Sequence, residues 1–273
     1  MPELPEVETV VNNLKPILSG KKILRIEIAP RAKKNLRNIS LRKLNQIIKN
    51  KEIINVSRFA KLILIELESG IVAIHLRMTG RLIPNKIENI DKNYITAKFS
   101  FKDNFYLFFK DVRRFGTIDF YKDISEISKS YGVEPLSKNF TSIKLYSLLH
   151  KSKKNIKAFL LDQTKIVGIG NIYADEILWA AKINPKIIAN SITKKKAILL
   201  TKAIKSILKK SIKYNGTTFI NFYYGNNNKG DFLKYLQVFG KNGVRCKRCT
   251  SHIIKTKVAG RGTYICPTCQ KMH

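Results

Sequence analysis

This chain of 273 residues has few acidic residues and only four cysteines, and it has no long hydrophobic run. No apolar stretch approaches the roughly 20 residues that a membrane-spanning helix needs. The segment from Met1 to Glu8 carries three glutamates, where a secretory signal peptide would be basic and then apolar. All four cysteines lie at or beyond Cys246, which is not the pattern of a disulfide framework in a secreted domain. We therefore expect a soluble cytoplasmic protein with no membrane partner.

The shortage of acidic residues leaves a large positive charge. Lys and Arg number 52 against 19 Asp and Glu, which gives a formal net charge of +33. Such a charge predicts a polyanionic partner, and nucleic acid is the first candidate, with an anionic membrane surface second. Alternatively, the lysines reflect an A/T-rich genome and are solvated surface. The hydrophobic content of 44% is enough for the cores of two domains and a terminal module.

The hydrophobic pattern changes from strand-like to helical along the chain. A short helical pattern over Val7–Leu18 is followed by strand-like runs at Lys61–Leu67, Gly70–Leu76, Ile95–Phe101 and Phe105–Lys110. These runs predict a β-sandwich or barrel. Ser, Gly, Pro and Lys interrupt the pattern over Ser125–Asn139, and helical spacing follows at Ile143–Leu149 and Ile192–Ile212. The chain contains no internal repeat.

The cysteines form a metal-binding pattern. Two Cys-x2-Cys pairs, separated by sixteen residues, are Cys246, Cys249, Cys266 and Cys269. This spacing predicts one tetrahedral zinc ion, and because four thiolates leave no open coordination position, the zinc is expected to be structural. Between the pairs, Gly260-Arg261-Gly262 predicts a hairpin tip that presents one guanidinium group. By itself, such a zinc ribbon is equally compatible with binding RNA or protein.

Five further motifs, in order, carry a resemblance that spans the chain. They are Met1-Pro-Glu-Leu-Pro-Glu-Val-Glu8, Arg58-Phe-Ala-Lys61, His75-Leu-Arg-Met-Thr-Gly80, Asp111-Val-Arg-Arg-Phe-Gly116 and Gly168-Ile-Gly-Asn-Ile-Tyr173. Together with the cysteines, they resemble the formamidopyrimidine-DNA glycosylase family. The resemblance implies an α+β multidomain fold: a β-sandwich with a flanking helix (1–130), a helical domain with a helix-two-turns-helix motif (131–238) and a zinc-finger β-hairpin (239–273).

The same resemblance implies a function in base-excision repair. It predicts a monomeric, nucleoid-associated bacterial enzyme that removes oxidised purines, 8-oxoguanine and formamidopyrimidines, from double-stranded DNA. A Schiff base on Pro2, followed by β,δ-elimination, would make it both a DNA glycosylase and an apurinic/apyrimidinic lyase. One alternative is an endonuclease VIII-like enzyme directed at oxidised pyrimidines, against which Leu4 argues because that branch more often has glycine there. A second alternative is a catalytically silent DNA-binding protein.

The chemistry of the N-terminus supports an amine nucleophile. Once Met1 is removed, Pro2 has a secondary α-amine, and α-amines have a pKa of about 7.7 to 8.0. Attack on C1′ of the sugar releases the base and leaves an iminium group that favours strand cleavage, with no organic cofactor. The resemblance implies that Glu3 is the acid at O4′, and Glu6 is expected to support it. Both glutamates also fit the alternative of ordinary anions at a helix N-terminus.

Two basic residues acquire catalytic roles from the resemblance alone. It implies that Lys61 contacts the phosphate beside the lesion and transfers a proton during β-elimination, while Arg261 assists δ-elimination. Without the resemblance, a lone lysine at the start of an apolar strand would be an exposed edge charge.

Access to a stacked base requires that the nucleotide be turned out and its space filled. The resemblance implies that Met78, Arg113 and Phe115 fill the space, with Arg113 bonding the orphaned base, and that Arg114 grips phosphate. By pattern alone, Met78 and Phe115 would be core residues. His75 is equally compatible with a DNA contact and with a core position.

Further DNA contacts are expected in the helical half. Asn171 follows a glycine turn, fits an N-cap and matches a family residue on the DNA backbone. Lys157 matches a lysine that lines the DNA groove, and Lys153 is a further candidate, although helix capping and solvated charge would also explain these residues. Two departures stand out: Lys92 replaces the family's frequent His-x-His element, and the loop at 219–230 lacks the usual Arg-Asp-Tyr element.

Overall fold

A computed structural model of the chain describes residues 1–85, 93–218 and 228–272. The chain forms two units, each made of two segments. Unit one comprises Met1–Ser130 and Tyr214–Asp231, and unit two comprises Tyr131–Lys213 and Phe232–His273. The segment that follows the last long helix therefore returns to unit one, and the helical segment shares unit two with the cysteine module.

The elements of unit one are mostly strands. They are α1 (Leu4–Leu18), β1 (Ile23–Ile28), α2 (Leu41–Ile48), β2 (Ile53–Phe59), β3 (Leu62–Leu67), β4 (Gly70–His75), β5 (Gly80–Asn85), β6 (Ile95–Phe101), β7 (Tyr106–Asp111), β8 (Thr117–Tyr121) and α3 (Ile124–Ser128). Those of unit two are α4 (Ser142–His150), α5 (Ile156–Leu161), α6 (Asn171–Ala180), α7 (Lys194–Lys213), β9 (Ile254–Val258) and β10 (Arg261–Ile265).

Unit one is a β-sandwich. Its strands form two antiparallel sheets, in the orders β1-β6-β7-β5 and β2-β3-β4-β8. Alternate side chains of both sheets enter one core, for example Phe99 and Phe109 from the first sheet and Ile63 and Ile74 from the second. This two-layer core confirms the predicted sandwich, and the observed strands lie within one residue of the four strand-like runs in the sequence.

Helix α1 covers part of this core with an amphipathic face. Its apolar side chains recur at the spacing of helical turns and are almost completely buried: Val7, Val10, Val11, Leu14 and Leu18. The helix begins three residues earlier than the pattern predicts, at Leu4. Pro5 lies in the first turn, where no backbone N–H is needed, so the proline favours the helix start.

Unit two combines helices with a small hairpin. Helix α7 packs against α4 and α6, and its buried side chains include Ala197, Leu200, Ile204 and Leu208. Strands β9 and β10 form an antiparallel pair without a register shift, in which Val258 and Arg261 are opposite each other next to the turn. Among the helices in the described part of the chain, none is both long enough and apolar enough to cross a bilayer.

Candidate active site and nucleic-acid interface

The first residues of the chain form a buried cluster in unit one. Pro2 is buried, Glu3 and Glu6 are each 2% exposed, and Met1 is 54% exposed. The backbone N–H of Glu3, at the N-cap position of α1, donates to Glu6 Oε2 (2.8 Å). The glutamates therefore cap the helix, as the alternative of ordinary anions at a helix N-terminus supposes, and both are buried.

The second oxygen of Glu6 holds a segment that is distant in sequence. The backbone N–H of Thr217 donates to Glu6 Oε1 at 2.7 Å. The preceding Gly216 has a φ of +76°, and a Cβ there would lie 2.8 Å from the same oxygen. Glu6 thus joins α1 to the segment Tyr214–Asp231 of unit one. The spacing of residues along the sequence does not reveal this role.

Lys61 lies in the tight turn between β2 and β3, and not in the strand where the sequence placed it. Phe59 pairs with Leu62, and Ala60 between them has a φ of +55°. Lys61 is 6% exposed, so the alternative of an exposed edge charge is wrong.

An arginine connects this turn to α1. Arg58 donates through Nε to Glu8 Oε2 (2.6 Å) and through Nη1 to the carbonyl oxygen of Ala60 (2.9 Å). The arginine side chain is 8% exposed. Because a guanidinium group is a rigid fork, these two bonds fix the turn that carries Lys61 against the helix that begins beside Pro2.

His75 ends β4, directly opposite Leu62 in the sheet. Its Nδ1 accepts a hydrogen bond from the backbone N–H of Arg77 (3.0 Å). Burial, reinforced by the positive charges of Arg77, Lys61 and Arg37, lowers the pKa of His75 to about 3. The ring is therefore neutral near pH 7, and because Nδ1 accepts, the proton lies on Nε2, where it is available as a donor.

Met78, Arg113 and Phe115 form an exposed group. Met78 is 42% exposed and Phe115 is 51% exposed, so the alternative that they are core residues is wrong. Arg113 Nη1 lies 3.0 Å from Met78 Sδ, and its guanidinium carbon lies 4.8 Å from the centre of the Phe115 ring. A flexible thioether, a cation and a flat ring are thus brought together on the surface of unit one.

A buried carboxylate, which the sequence did not single out for any role, organises the loop beneath this group. Asp111 is completely buried and accepts hydrogen bonds from the hydroxyl group of Thr79 and from the backbone N–H groups of Arg113 (3.2 Å) and Gly116 (2.7 Å). Arg114 in the same loop is half-buried and has a φ of +54°. Asp111 therefore holds the loop after β7 against the loop before β5. Lys92 lies outside the described residues.

The predicted DNA contacts of unit two have different environments. Lys153 is exposed, whereas Lys157 is completely buried. Asn171 does not occupy the N-cap of α6, as the sequence suggested, because Gly170 does. The Asn171 side chain instead donates through Nδ2 to the carbonyl oxygen of Gly262 (3.0 Å), in the hairpin of the cysteine module.

The four cysteines provide a zinc site. Their sulfur atoms all lie within 4.8 Å of one another; Cys246 and Cys269 are 4.0 Å apart and Cys249 and Cys266 3.3 Å apart. Tetrahedral zinc with Zn–S bonds of about 2.3 Å requires sulfur atoms about 3.8 Å apart, so the cluster fits the ion. The four thiolates hold one structural zinc ion, as predicted.

The turn of the adjoining hairpin is one residue earlier than predicted. Ala259 and Gly260 form it, with φ values of +52° and +70°, as a type I′ turn requires. Arg261 is exposed and is the first residue of β10. The guanidinium group is nevertheless presented next to the turn, as the sequence suggested.

Comparisons with known proteins cover both units. Residues 1–118 match the model of the formamidopyrimidine-DNA glycosylase N-terminal domain, residues 131–222 that of the formamidopyrimidine-DNA glycosylase H2TH domain, and residues 243–271 a zinc finger found in FPG and IleRS. The formamidopyrimidine-DNA glycosylase of Carboxydothermus hydrogenoformans is 42% identical over 272 residues, which cover 99% of this chain and 100% of the relative. That of Pelotomaculum thermopropionicum is 41% identical over 281 residues, and the match covers each chain completely.

Solved structures with the same fold contain DNA. An FPG mutant from Lactococcus lactis in complex with Fapy-dG-containing DNA is 36% identical, with a TM-score of 0.89 over 99% of this chain and 100% of that one. Lactococcus lactis Fpg with DNA that contains an abasic site is also 36% identical, with a TM-score of 0.87 over 98% of this chain and 99% of that one. The wild-type Lactococcus protein with DNA that contains an oxidised pyrimidine gives 36% identity and a TM-score of 0.87 over 99% of this chain and 100% of that one.

Proposed function

This chain belongs to the formamidopyrimidine-DNA glycosylase family, and we propose that it is a bifunctional base-excision repair enzyme, both glycosylase and lyase, with Pro2 as its nucleophile. Its substrates are 8-oxoguanine and formamidopyrimidines in duplex DNA. One observation carries the proposal: buried Pro2 and Glu3 directly precede the helix to which the Lys61 turn is fixed by Arg58.

The first chemical stage is base release. After Met1 has been removed, the Pro2 nitrogen attacks C1′ of the damaged nucleotide. The base leaves with the electrons of the glycosidic bond and takes up the proton that the Pro2 nitrogen loses. Glu3 protonates O4′, so that the sugar ring opens and an iminium group joins Pro2 to C1′. The burial of Glu3 next to Pro2 in the sequence supports this role.

The second stage is strand cleavage. The iminium group acidifies the C2′ proton; its removal expels the 3′ phosphate, and a second elimination expels the 5′ phosphate. Lys61 transfers a proton in the first elimination, and Arg261 assists the second. The positive charges of Arg77, Lys61 and Arg37 around the buried His75 support the assignment of this edge of unit one to a phosphate group. His75 would donate to that group through Nε2.

The exposed group of Met78, Arg113 and Phe115 suits the space vacated by the extruded nucleotide. Its thioether and ring supply apolar surface for stacking, and Arg113 supplies donors for the orphaned base. Arg114, Lys92, Lys153 and Asn171 complete the proposed backbone contacts. The enzyme would act as a monomer on chromosomal DNA in the cytoplasm.

Borohydride trapping tests the nucleophile. The mature protein, verified by mass spectrometry to begin at Pro2, is incubated with duplex DNA that contains 8-oxoguanine opposite cytosine, and the imine is reduced. We expect a covalent adduct that maps to the N-terminal peptide after proteolysis. Pro2→Gly should form much less adduct, whereas the distant exposed variant Lys102→Ala should match the wild type. An adduct on Lys61 would refute Pro2 as the nucleophile, and no adduct with any lesion would refute the lyase.

The same assay separates the two lesion classes. A favoured oxidised-pyrimidine substrate would support the endonuclease VIII-like alternative. Preference, and not binding alone, is the criterion, since a Lactococcus lactis Fpg was solved with DNA that contains an oxidised pyrimidine. Purine preference is expected here, and competition between the two substrates in one reaction measures it directly.

A further inference from the structure

Lys157 has the environment of a buried structural cation. Its ammonium group donates to Asp175 Oδ1 (2.7 Å), Thr263 Oγ1 (2.8 Å) and the carbonyl oxygen of Gly262 (3.1 Å). These three bonds use all three donors of an ammonium group. The side chains of Lys157 and Asp175 are both 0% exposed. A solvated lysine, or one that waits for a phosphate group, would not have this environment.

Asp175 extends the contact to the backbone of β10. Its Oδ2 accepts the backbone N–H of Tyr264 at 2.9 Å. Burial raises the pKa of Asp175 to about 6, against the opposing attraction of Lys157. The ammonium group at 2.7 Å favours the charged form of this carboxylate. A buried ion pair is stabilising only when further hydrogen bonds satisfy its members, and here residues of β10 supply them: Gly262, Thr263 and Tyr264.

Asn171 adds a parallel contact one helical turn before Asp175. Its Nδ2 and the Lys157 ammonium group donate to the same carbonyl oxygen, that of Gly262. Gly262 directly follows Arg261. Three side chains from α5 and α6 therefore hold the backbone beside Arg261, within unit two.

We infer that Lys157 and Asp175 are positioning residues for Arg261, and that Lys157 acts through this pair and not as a direct DNA contact. The inference rests on the proposed function, in which Arg261 assists the second elimination. Loosening the pair would let the start of β10 move and would displace the guanidinium group from the departing phosphate.

The rest of the module is attached independently, so the effect should be local. Glu176 accepts backbone N–H groups from Gln237, Val238 and Phe239 at 2.8 to 3.0 Å. Asn184 Nδ2 donates to the carbonyl oxygen of Gln270 at 2.7 Å. These bonds do not involve the Lys157 pair. Variants of the pair should therefore retain zinc and base excision while they lose the second elimination.

The test compares Asp175→Asn and Lys157→Met on duplex DNA with an abasic site. We expect each variant to lower the ratio of δ- to β-elimination product about tenfold, since small misplacements of catalytic groups have effects of this size or larger. Lys154→Met is the matched control, because Lys154 is an exposed lysine paired with Asp162 at 2.8 Å. It should retain the wild-type ratio.

DNA affinity distinguishes positioning from direct contact. If Lys157 bound phosphate, Lys157→Met would weaken duplex binding and reduce its salt dependence, whereas Asp175→Asn, which removes a negative charge, would not weaken it. The positioning role predicts that both variants change the product ratio in the same direction, with similar affinities.

Zinc content and borohydride trapping complete the design. Variants that bind one zinc ion, trap like the wild type and yield the wild-type product ratio would overturn the inference. If the wild type itself formed no covalent adduct with borohydride, the proposed function would be refuted instead. If Asp175→Asn does not fold, Thr263→Val takes its place. It preserves the side-chain shape but removes one acceptor of Lys157 and the hydrogen bond from Thr263 Oγ1 to the carbonyl oxygen of Arg261 (3.0 Å), so it tests how β10 is held beside Arg261.

Discussion

At the scale of the residue, His75 links the stability of unit one to pH. The folded ring has a pKa of about 3, against 6.5 for an ordinary histidine. Below about pH 6.5 the unfolded chain binds a proton that the folded ring does not bind, so stability decreases as the pH falls toward about 3. Protonation of Nδ1 would also break the hydrogen bond from Arg77.

This linkage predicts a measurable difference between the wild type and His75→Gln, which retains an acceptor but does not titrate. Lowering the pH from about 7.5 to about 5 should cost the wild type about 2 kcal/mol more in free energy of unfolding than it costs the variant. Urea unfolding at both pH values measures the difference, and the comparison cancels the other titrating groups. Equal losses in the two proteins would contradict the assigned shift.

Asp111 provides a second prediction for a single residue. Asp111→Asn should lower the free energy of unfolding by about 1 to 3 kcal/mol, because an amide nitrogen would replace one of the two oxygens that now accept hydrogen bonds from the backbone N–H groups of Arg113 and Gly116. Excision should decrease more than binding of undamaged DNA, since the loop of Arg113 and Phe115 loses its support. Asp103→Asn, which changes a carboxylate that is 56% exposed, is the control and should change stability by less than about 0.5 kcal/mol. Equal effects of the two variants would refute the organising role.

At the scale of the element, the sequence predicted most strands and helices well and their connections less well. The bounds of β6 are those of the strand-like run Ile95–Phe101, because alternation of apolar side chains is a local signal. The positions of Lys61 in a turn and of Asn171 inside α6 were missed, since one-residue shifts at element ends depend on tertiary hydrogen bonds. The return of Tyr214–Asp231 to unit one has no local signal at all.

The β2–β3 hairpin yields a prediction because one arginine positions its turn. Arg58→Lys keeps the positive charge but cannot reach both Glu8 and the carbonyl oxygen of Ala60 with a single ammonium group. Single-turnover cleavage of abasic-site DNA should slow about tenfold while DNA affinity changes little. Arg25→Lys, at an exposed residue of β1, should cleave at the wild-type rate. A wild-type rate for Arg58→Lys would show that the turn holds its position without the arginine.

The zinc site can be monitored by the chain's one tryptophan. Trp179 Nε1 lies 3.4 Å from Cys246 Sγ, and the guanidinium carbon of Arg248 lies 3.7 Å from the ring centre. Removal of zinc with a chelator should shift the tryptophan emission to longer wavelength, and added zinc should reverse the shift, because metal binding and local folding are coupled. Unchanged emission after verified loss of zinc would contradict a structural role for the ion.

At the scale of the whole molecule, the charge of +33 predicts steep salt dependence. Affinity for undamaged duplex DNA should fall about 10³-fold between about 50 and about 200 mM salt, as expected for six or more neutralised phosphates. Fluorescence anisotropy across this range gives the slope. A shallow slope would instead favour the alternative that most lysines are solvated surface fixed by genome composition.

The bond between Glu6 and Thr217 has a consequence for biosynthesis. The two residues are 211 positions apart, so the ribosome must extrude most of the chain before this bond can form. A nascent chain that ends near Ser130 would contain both sheets but would lack the hydrogen bond that Thr217 donates to Glu6. Contacts of such long sequence separation slow folding because the loop between them must first be closed. Unit one should therefore reach its final, protease-resistant state only after translation has passed the segment that follows α7.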